Sequence, residues 1–399
     1  MKAIRAILML SSATGLLASM PALASDAADE AQAAPAEGEI IVTAQRRGES
    51  LNEVPMAVQA VTADTLKDLR VTDVRDLTTV APSFTVSQSY QGVPTYTLRG
   101  IGFNTINLSA TSTVGTYVDE VAYAYPIMNT GPMMDLERVE VLKGPQGTLY
   151  GRNTTAGLIN FITAKPTNEF SGSISADVGN YQTYNIGGHI SGPIAEGISA
   201  RLAFRSDNSD KGWQVSNSRD ERLGKVSKLG LRGSLAIDPA SGTHIEASVT
   251  WWQNKSDTVA GQGIGFTPPT DPVTGTSLSR LFNAPGLATY ISTHAPTSAT
   301  QADWAPEAGR SADVGTGLGL AGPLREDNQF WGLKLRIDQD LGETTKLVSL
   351  TSYNYFKRDA LSDWSGVPFE ILLQNAVGSI KSFAQEVHLE GKSGPASWL

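Results

Sequence analysis

The sequence predicts an antiparallel membrane β-barrel, incomplete within the 399 residues, with an N-terminal α+β domain before it. Three observations predict this fold class. Segments after Phe170 alternate apolar and polar residues over about ten positions, the length of a tilted membrane-spanning strand. Short turns alternate with long excursions between these segments, as they do in outer-membrane barrels. An export signal opens the chain, and no later stretch has the roughly 20 apolar residues of a transmembrane helix.

Composition excludes several classes of protein. The formal net charge of -9 argues against a bulk attraction to nucleic acid, and the lack of cysteine rules out disulfides and thiolate metal sites. The histidines are far apart in sequence, which excludes helical zinc motifs of the H-E-x-x-H kind. No nucleophile–base pair stands out, and we expect neither an enzyme nor a cofactor-binding protein, in line with the family resemblance described below. The histidines are His189, His244, His294 and His388.

Residues 1–24 have the features of a signal peptide. Lys2 and Arg5 precede an apolar run over residues 6–17, and the stretch from Pro21 to Ala24 ends in small residues. We expect cleavage after Ala24. An uncleaved membrane anchor is the alternative, and the short apolar run disfavours it. Residues 25–38, rich in Ala, Asp and Glu, predict a flexible periplasmic tether.

Residues 39–47 contain a short β-prone run between the tether and a pair of arginines. Such a run cannot bury itself locally, so its backbone is free to pair with another sheet. The alternative is an ordinary first strand of the next domain, and the residues alone leave both open. The run consists of Glu39, Ile40, Ile41, Val42, Thr43, Ala44 and Gln45.

Residues 48–166 predict the compact α+β domain. Val58 to Val61 favours a strand, and Thr62 can cap a helix from Ala63 to about Leu69. Thr72 can cap a second helix, which Pro82 would end. Further strands are predicted over residues 96–99, 115–121, 139–142 and 158–163, each bounded by Gly, Pro or Asn.

Residues 167–399 predict the first eight or so barrel strands. A soluble β-sandwich alternates too, but the connections favour a barrel with short periplasmic turns and long external loops. We expect long loops over residues 208–226, 253–328 and 358–380, and a last full strand over 381–390. Aromatic residues near strand ends predict interfacial girdles. They are Tyr181, Trp251, Trp252, Phe330, Trp331, Tyr355 and Phe356.

Residues 135–163 resemble the plug signature of TonB-dependent receptors. Residues 98–102 and 117–121 are similar to two further plug motifs, and residues 39–45 resemble the TonB box. The resemblance covers about residues 39–166 and implies a plug inside a barrel of about 22 strands. The plug positions that it singles out are Arg99, Gly100, Asp119, Arg138, Glu140, Lys143, Gly144, Pro145, Gly147, Tyr150 and Gly151.

Physical reasons accompany several of these positions. Gly144, Gly147 and Gly151 would allow turns that a side chain blocks, and no P-loop Gly-Lys-Ser/Thr follows them. By resemblance, Arg99, Arg138 and Lys143 would face carboxylates on the barrel wall; ordinary solvated charges are the alternative. Family members usually have Arg at the position of Lys143, and Lys makes only a point-charge contact.

The resemblance implies a monomeric receptor in the outer membrane of a Gram-negative bacterium. It would take up a scarce solute, by default a ferric siderophore, with the proton-motive force delivered by the periplasmic domain of TonB. Alternatives are a passive barrel or adhesin, a secreted β-sandwich, or a non-functional truncated fragment. The tether is too short for an extra signalling domain.

Two further expectations concern the loops and the barrel's closure. Residues 253–328 are the expected selectivity loop, in which His294 could ligate iron or haem or, more simply, be a solvated histidine. A sheet of eight strands would leave edges unpaired in lipid, so we expect the 399-residue chain not to insert stably.

Overall fold

The structure is a computed structural model that describes residues 40–88, 92–104, 109–265, 273–274, 287–310, 321–394 and 396–399. These residues belong to one unit of the chain, residues 40–399. The predicted signal peptide, the predicted tether and Glu39 lie outside the described residues. No helix in the described ranges is long and apolar enough to cross a bilayer.

The N-terminal domain is built from short strands and short helices. Its helices are α1 (Ala63–Asp68), α2 (Leu77–Val80) and α3 (Gly147–Tyr150). Its strands are β1 (Ile41–Val42), β2 (Glu49–Ser50), β3 (Val58–Thr62), β4 (Phe84–Gln88), β5 (Pro94–Leu98), β6 (Ile101–Gly102), β7 (Val114–Val118), β8 (Val121–Ala122), β9 (Leu136–Lys143) and β10 (Gly157–Thr163).

A five-stranded mixed sheet forms the centre of this domain. Its order is β3-β9-β10-β7-β8, in which β10 runs parallel to β7 and antiparallel to β9. All seven residues of β10 are buried, as expected of a central strand. A separate three-stranded sheet, β4-β5-β6, packs on the same core through Phe84 and Leu98. The sequence did not predict β4 or β6.

Side-chain caps start the helical segments. The Thr65 amide donates to the Thr62 hydroxyl at the start of α1, which confirms the predicted cap. The second prediction was one residue off. Asp73, not Thr72, caps the 3-10 turn before α2, in a reciprocal capping box with Asp76. Both Thr72 and Asp73 are able to cap, and the reciprocal partner at Asp76 favours Asp73.

The second part of the chain forms a nine-stranded antiparallel sheet, called the barrel sheet here. Each of its strands pairs with the next strand of the sheet along the chain, as an up-and-down barrel requires. The ninth strand is only three residues long. The strands are β11 (Ser171–Gly179), β12 (Thr183–Ala195), β13 (Ile198–Ser209), β16 (Val226–Ala240), β17 (Thr243–Asn254), β19 (Glu326–Asp340), β20 (Thr345–Asp363), β21 (Leu373–Ser393) and β22 (Ala396–Trp398).

The two faces of the barrel sheet differ in polarity. The outer face carries exposed apolar side chains such as Ile174, Leu202 and Leu333, as a lipid-facing surface does. The inner face packs against the N-terminal domain and carries polar or charged side chains, for example Arg201 and Arg232. The alternation in the sequence predicts this division, since successive side chains of a strand point to opposite faces.

Two predictions about this part are corrected. Trp252, Phe330 and Phe356 point inward, with 4%, 0% and 2% of their surfaces exposed, so they do not belong to an outer girdle. They pack with Tyr123 of the N-terminal domain. The third long loop is also shorter than expected, because β20 and β21 continue as a paired hairpin to Asp363 and Leu373.

The long connections carry a small structure of their own. Three short strands, β14 (Gln214–Ser216), β15 (Arg222–Leu223) and β18 (Gln301–Ala302), form a small sheet in which β14 is the middle strand. This sheet joins the two longest connections. Asp303 accepts hydrogen bonds from the Ser216 and Ser218 hydroxyls across the two connections, at 2.5 and 2.9 Å. The longer of the two connections also contains a short helix, α4 (Leu287–Thr293).

Candidate functional site

The described part of the predicted TonB box lies against the N-terminal domain. β1 pairs with β2 in antiparallel register, with Ile41 opposite Ser50 and Val42 opposite Glu49. Val42 and Ala44 are fully buried in an apolar cluster. In this conformation the segment is a first strand of the domain, one of the two alternatives that the sequence left open. Its pairing with another protein stays a prediction.

Thr43 ties the middle of the box to the central sheet. Its amide donates to Glu140 Oε1 at 2.9 Å, and its hydroxyl donates to Glu140 Oε2 at 3.2 Å. The Asn160 amide donates to the same hydroxyl at 3.3 Å, and the Tyr150 hydroxyl donates to the Thr43 carbonyl at 3.0 Å. Burial raises the pKa of Tyr150, so the phenol stays protonated and able to donate.

Glu140 is a carboxylate with no exposed surface. Besides Thr43, Arg138 holds it through an Nε–Oε1 contact of 2.8 Å, so the buried charge is both paired and hydrogen-bonded. Lys143 donates instead to Gln59 Oε1 at 3.0 Å. Arg138 and Lys143 therefore both have partners inside the N-terminal domain, and the expectation that they face wall carboxylates stays a prediction. Arg99 is exposed at a turn.

Arg46 ends the box at a sharp turn. Its backbone has a φ of 64°, in the left-handed region that is uncommon outside glycine. Its guanidinium lies over the Tyr150 ring, 4.6 Å from the centroid, and only 6% of the residue is exposed. The same group approaches Glu120 Oε2 at 3.7 Å and Glu386 of β21 at 3.5 Å. The turn after the box therefore contacts both the domain and the wall.

The glycines and the proline of the plug motif form turns around α3. Gly144 and Gly151 have φ values of 101° and 72°, as predicted for positions that a side chain would strain. Gly147 is different, since it has no positive φ and starts α3. Pro145 lies exposed between the first two glycines. Arg99 and Gly100 form the two-residue turn between β5 and β6, and Gly100 has a φ of 79°.

Asp119 and Glu120 form a second turn, with φ values of 46° and 69°. Asp119 accepts hydrogen bonds from the amide and the hydroxyl of Thr163, at 2.8 and 2.7 Å, and so closes the domain's end onto its central strand. Glu120 accepts from Arg336 Nη1 of the wall at 2.6 Å. Burial raises the pKa of Glu120, while Arg336 and Arg46 work against that rise.

Ion pairs between the N-terminal domain and the wall are mostly acidic on the domain side. Asp135 binds Arg201 through two contacts of 2.5 and 2.6 Å, in the bidentate geometry that arginine favours. Asp73 lies 3.1 Å from the ammonium group of Lys228. Burial alone would raise the pKa of Asp73, but Lys228 and neighbouring Arg75 hold it well below its usual range.

A cavity of 370 Å³ opens between the N-terminal domain and the long connections. Trp213 and Trp364 line it together with basic Arg75 and Lys225. His294 is not part of this lining; it is exposed and stacks on Tyr290 with ring centroids 4.4 Å apart. Within the described ranges no group of three or more His, Asp or Glu side chains is placed to hold a metal.

Several residues of this arrangement were not singled out by the sequence. They are Arg46, Glu120 and the basic wall residues. The sequence did contain one signal for the basic wall residues. Residues such as Arg232 and Lys334 alternate with lipid-facing leucines, so the strand period predicts that their side chains point inward. Their partners depend on how two distant parts of the chain dock, which no local pattern encodes.

The matches to known proteins agree with this geometry. A family model described as the TonB-dependent receptor plug domain matches residues 50–158, from β2 into β10. The motif turns, the docked box and the sheet around the domain fall in the order box, plug, barrel. The chain therefore carries a domain of the TonB-dependent receptor plug family and is similar to receptors that contain it. As in its relatives, its place is the outer membrane of a Gram-negative bacterium.

Known receptors resemble this chain over part of their length. The pesticin receptor of Yersinia pestis is 32% identical over 187 residues, which are 44% of this chain and 26% of that protein. The ferric-pyoverdine BN7/BN8 receptor of Pseudomonas putida is 27% identical over 236 residues, 58% of this chain and 27% of that protein. The chain therefore matches only about a quarter of the length of these relatives.

Solved structures share the fold. The ferric yersiniabactin uptake receptor from Yersinia pestis superposes with a TM-score of 0.63 at 18% identity, over 85% of this chain and 46% of that one. The ferripyoverdine receptor of Pseudomonas aeruginosa, solved with ferripyoverdine bound, gives a TM-score of 0.63 at 18% identity, over 88% of this chain and 42% of that one. Both are receptors with a plug and a barrel, as predicted for this chain.

Proposed function

We propose that the protein is a TonB-dependent receptor that takes up a ferric siderophore through the outer membrane. The observation that carries the proposal is the placement of the box. The box lies at the short-turn end of the barrel sheet, where Arg46 meets Glu120 and Glu386. Short turns face the periplasm in outer-membrane barrels, so the periplasmic domain of TonB would reach it there.

The energy coupling would act through the backbone of the box. β1 pairs with β2 over only two residue pairs, and TonB would replace β2 as its partner by adding the segment to its own sheet. A pull on Thr43 would then transmit force through its hydrogen bonds to Glu140 on β9 and to Tyr150 on α3 of the plug. Residues 39–45 are the proposed binding segment for TonB, with Glu39 outside the described residues.

The ligand class comes from the relatives. Proteins named as ferric-pyoverdine and ferric yersiniabactin receptors match this chain, which supports a ferric siderophore. The cavity of 370 Å³ beside the long connections is the proposed entry site, because it opens at the end that would face outside. Uptake of this kind needs binding and conformational change but no covalent chemistry, in keeping with a transport protein rather than an enzyme.

The proposed division of the chain follows the same scheme. Residues 1–24 would be the signal peptide, 25–38 the tether, 39–47 the box, 48–166 the plug and 167–399 the first part of the barrel. The break between plug and barrel falls between the end of β10 at Thr163 and the start of β11 at Ser171.

Uptake of radioactive iron by cells that make the receptor tests the proposal. The probes are iron-loaded pyoverdine and iron-loaded yersiniabactin, offered separately. Ile41→Pro removes a backbone donor that strand addition needs and should abolish TonB-dependent uptake. Ile41→Ala keeps the donor and should retain most of it. Equal uptake by both variants would refute the assignment of residues 39–45 as the TonB-binding segment. Uptake that does not change when TonB is lost would indicate a passive barrel.

A further inference from the structure

Basic side chains form a column down the inner face of the barrel sheet. Lys228 and Arg232 point inward from β16, and Lys334 and Arg336 point inward from β19. Strand register places them at successive levels, because Lys334 lies opposite Ser248, which lies opposite Ser234. From Lys228 to the level of Arg336 the column extends about 26 Å along the strands, at about 3.3 Å per residue.

The plug covers each member of this column with an oxygen acceptor. Asp73 faces Lys228 at 3.1 Å, and the Met134 carbonyl accepts from Arg232 at 3.1 Å. The turn formed by Asp119 and Glu120 covers the lower part. Asp119 lies 3.9 Å from Lys334, and Glu120 lies 2.6 Å from Arg336.

Wall carboxylates hold the lower two basic groups from the side. Glu246 lies 3.3 Å from Lys334, and Asp338 lies 2.8 Å from Arg336. These carboxylates belong to the barrel, so they would stay when the plug moves. Glu326 of β19 lines the same cavity as Lys228 and is a third wall carboxylate. The column would then present four basic side chains against three wall carboxylates and keep an excess of positive charge.

A row of cavities follows the column between plug and wall. Their volumes are 370, 60, 20 and 460 Å³, from the long-connection end to the short-turn end. Each shares lining residues with the next: Asn129, then Thr250, then Ser248. The narrow middle lies beside Tyr123 and Trp252. The space between plug and wall along these cavities, called the seam here, is therefore a nearly continuous gap with a constriction.

We propose that this column is a track for an anionic solute, and that the plug acids occupy it as placeholders until the plug moves. The inference rests on the proposed function, since only a transported solute needs a track. A series of basic groups lets an anion exchange one contact for the next, and several weak sites in sequence allow both entry and release. The substrate class is thus a ferric chelate with net negative charge.

Single cysteines test the track, because the chain has none of its own. Ser248→Cys places a thiol between the cavities of 20 and 460 Å³, opposite Lys334. Two methanethiosulfonate reagents of similar size, one ending in a sulfonate and one in trimethylammonium, report the local charge by their rates. The control is Ser173→Cys on β11, which lines another cavity between plug and wall. That cavity has basic residues of its own (Lys67, Arg70 and Arg205), but Asp119, Glu120 and Lys334 do not line it, so changes at these three should not alter the control.

The placeholders are removed by combining Asp119→Asn with Glu120→Gln. With both changes, the preference of Ser248→Cys for the anionic reagent should exceed that of the control by about fivefold, and Lys334→Gln should cancel the excess. A preference no greater than the control's, or one that survives Lys334→Gln, overturns the track. The measurement needs no TonB, so failure of the box in the uptake assay would leave its outcome unaffected.

Discussion

The Thr43 amide donates a 2.9 Å hydrogen bond to Glu140 Oε1, across 97 positions of sequence. This contact joins the segment that TonB is proposed to pull with the strand that carries the plug signature. Glu140 also accepts a hydrogen bond from Arg138 and has no exposed surface. Its buried negative charge is therefore stabilised by both Thr43 and Arg138. Glu140 therefore couples the docking of the box to the stability of the plug.

Glu140→Gln should loosen both the box and the plug. Loss of the charge leaves Arg138 with a weaker partner in a buried place, at a cost of about 1–3 kcal/mol in the free energy of unfolding. Thr43→Val is the matched control, because it removes the hydroxyl but keeps the amide donor and the Arg138 pair. Limited proteolysis should cut the box faster in both variants. Glu140→Gln should lower the plug's thermal stability more than Thr43→Val, which takes from the plug only the hydroxyl partner of Glu140 and of the Asn160 amide. Equal thermal stability in both variants would contradict the role given to Glu140.

Tyr150→Phe should release the box without disturbing the core. The ring that packs against Tyr117 and Arg46 remains, while the hydrogen bond to the Thr43 carbonyl is lost. A single neutral hydrogen bond contributes about 0.5–1.5 kcal/mol, so the equilibrium constant for docking of the box should fall several-fold and the undocked fraction should rise. A spin label in the box reports this population by its mobility. An unchanged spectrum would show that the phenol does not hold the segment.

Gly144→Ala and Gly147→Ala form a matched pair in the plug signature. Neither added methyl group would meet another atom within 4 Å, so only the backbone distinguishes them. Gly144 has a φ of 101°, which should cost about 1–3 kcal/mol with a side chain present. Gly147 starts α3, where alanine is tolerated. Thermal unfolding should therefore detect the first substitution and not the second; equal shifts would count against the turn assignment.

Gly131→Ala should disturb the seating of the plug on the wall. A Cβ at this position would lie 2.5 Å from Cδ2 of Trp252, which is closer than packed atoms approach. Cells with this variant should become more sensitive to large antibiotics that the outer membrane excludes. Adding Trp252→Ala makes room and should restore part of the resistance. If the double variant is as leaky as the single one, or leakier, the contact does not seal the seam.

Local patterns predicted some features of this fold and missed others for identifiable reasons. Thr62 was predictable as a cap because a single hydroxyl precedes the helix, whereas adjacent Thr72 and Asp73 competed. Strand alternation predicted the lipid face of Leu202 and already placed Trp252 on the opposite, polar face. Reading Trp252 as a girdle residue gave its type more weight than its position in the alternation.

The functional site was predictable only within continuous motifs. Glu140, Tyr150 and the box residues stand in recognisable segments, so their importance was expected from sequence. The bond between Thr43 and Glu140 and the contact of Glu120 with Arg336 join residues 97 and 216 positions apart. The first pair follows from how the box folds onto the central sheet of the plug, and the second from how the plug docks against the barrel sheet. The polarity of most ion pairs, acidic on the plug and basic on the wall, follows from the same docking; Arg46 with Glu386 is an exception.

The most direct test of energy coupling is a crosslink in living cells. Ile41→Cys supplies the only thiol of the chain, and the partner is a TonB periplasmic domain with single cysteines along its edge strand. Coupling through the box predicts a disulfide-linked pair whose yield changes in register along that strand and rises when ferric siderophore is added. No crosslink at any position, in cells that bind the siderophore normally, would contradict the account.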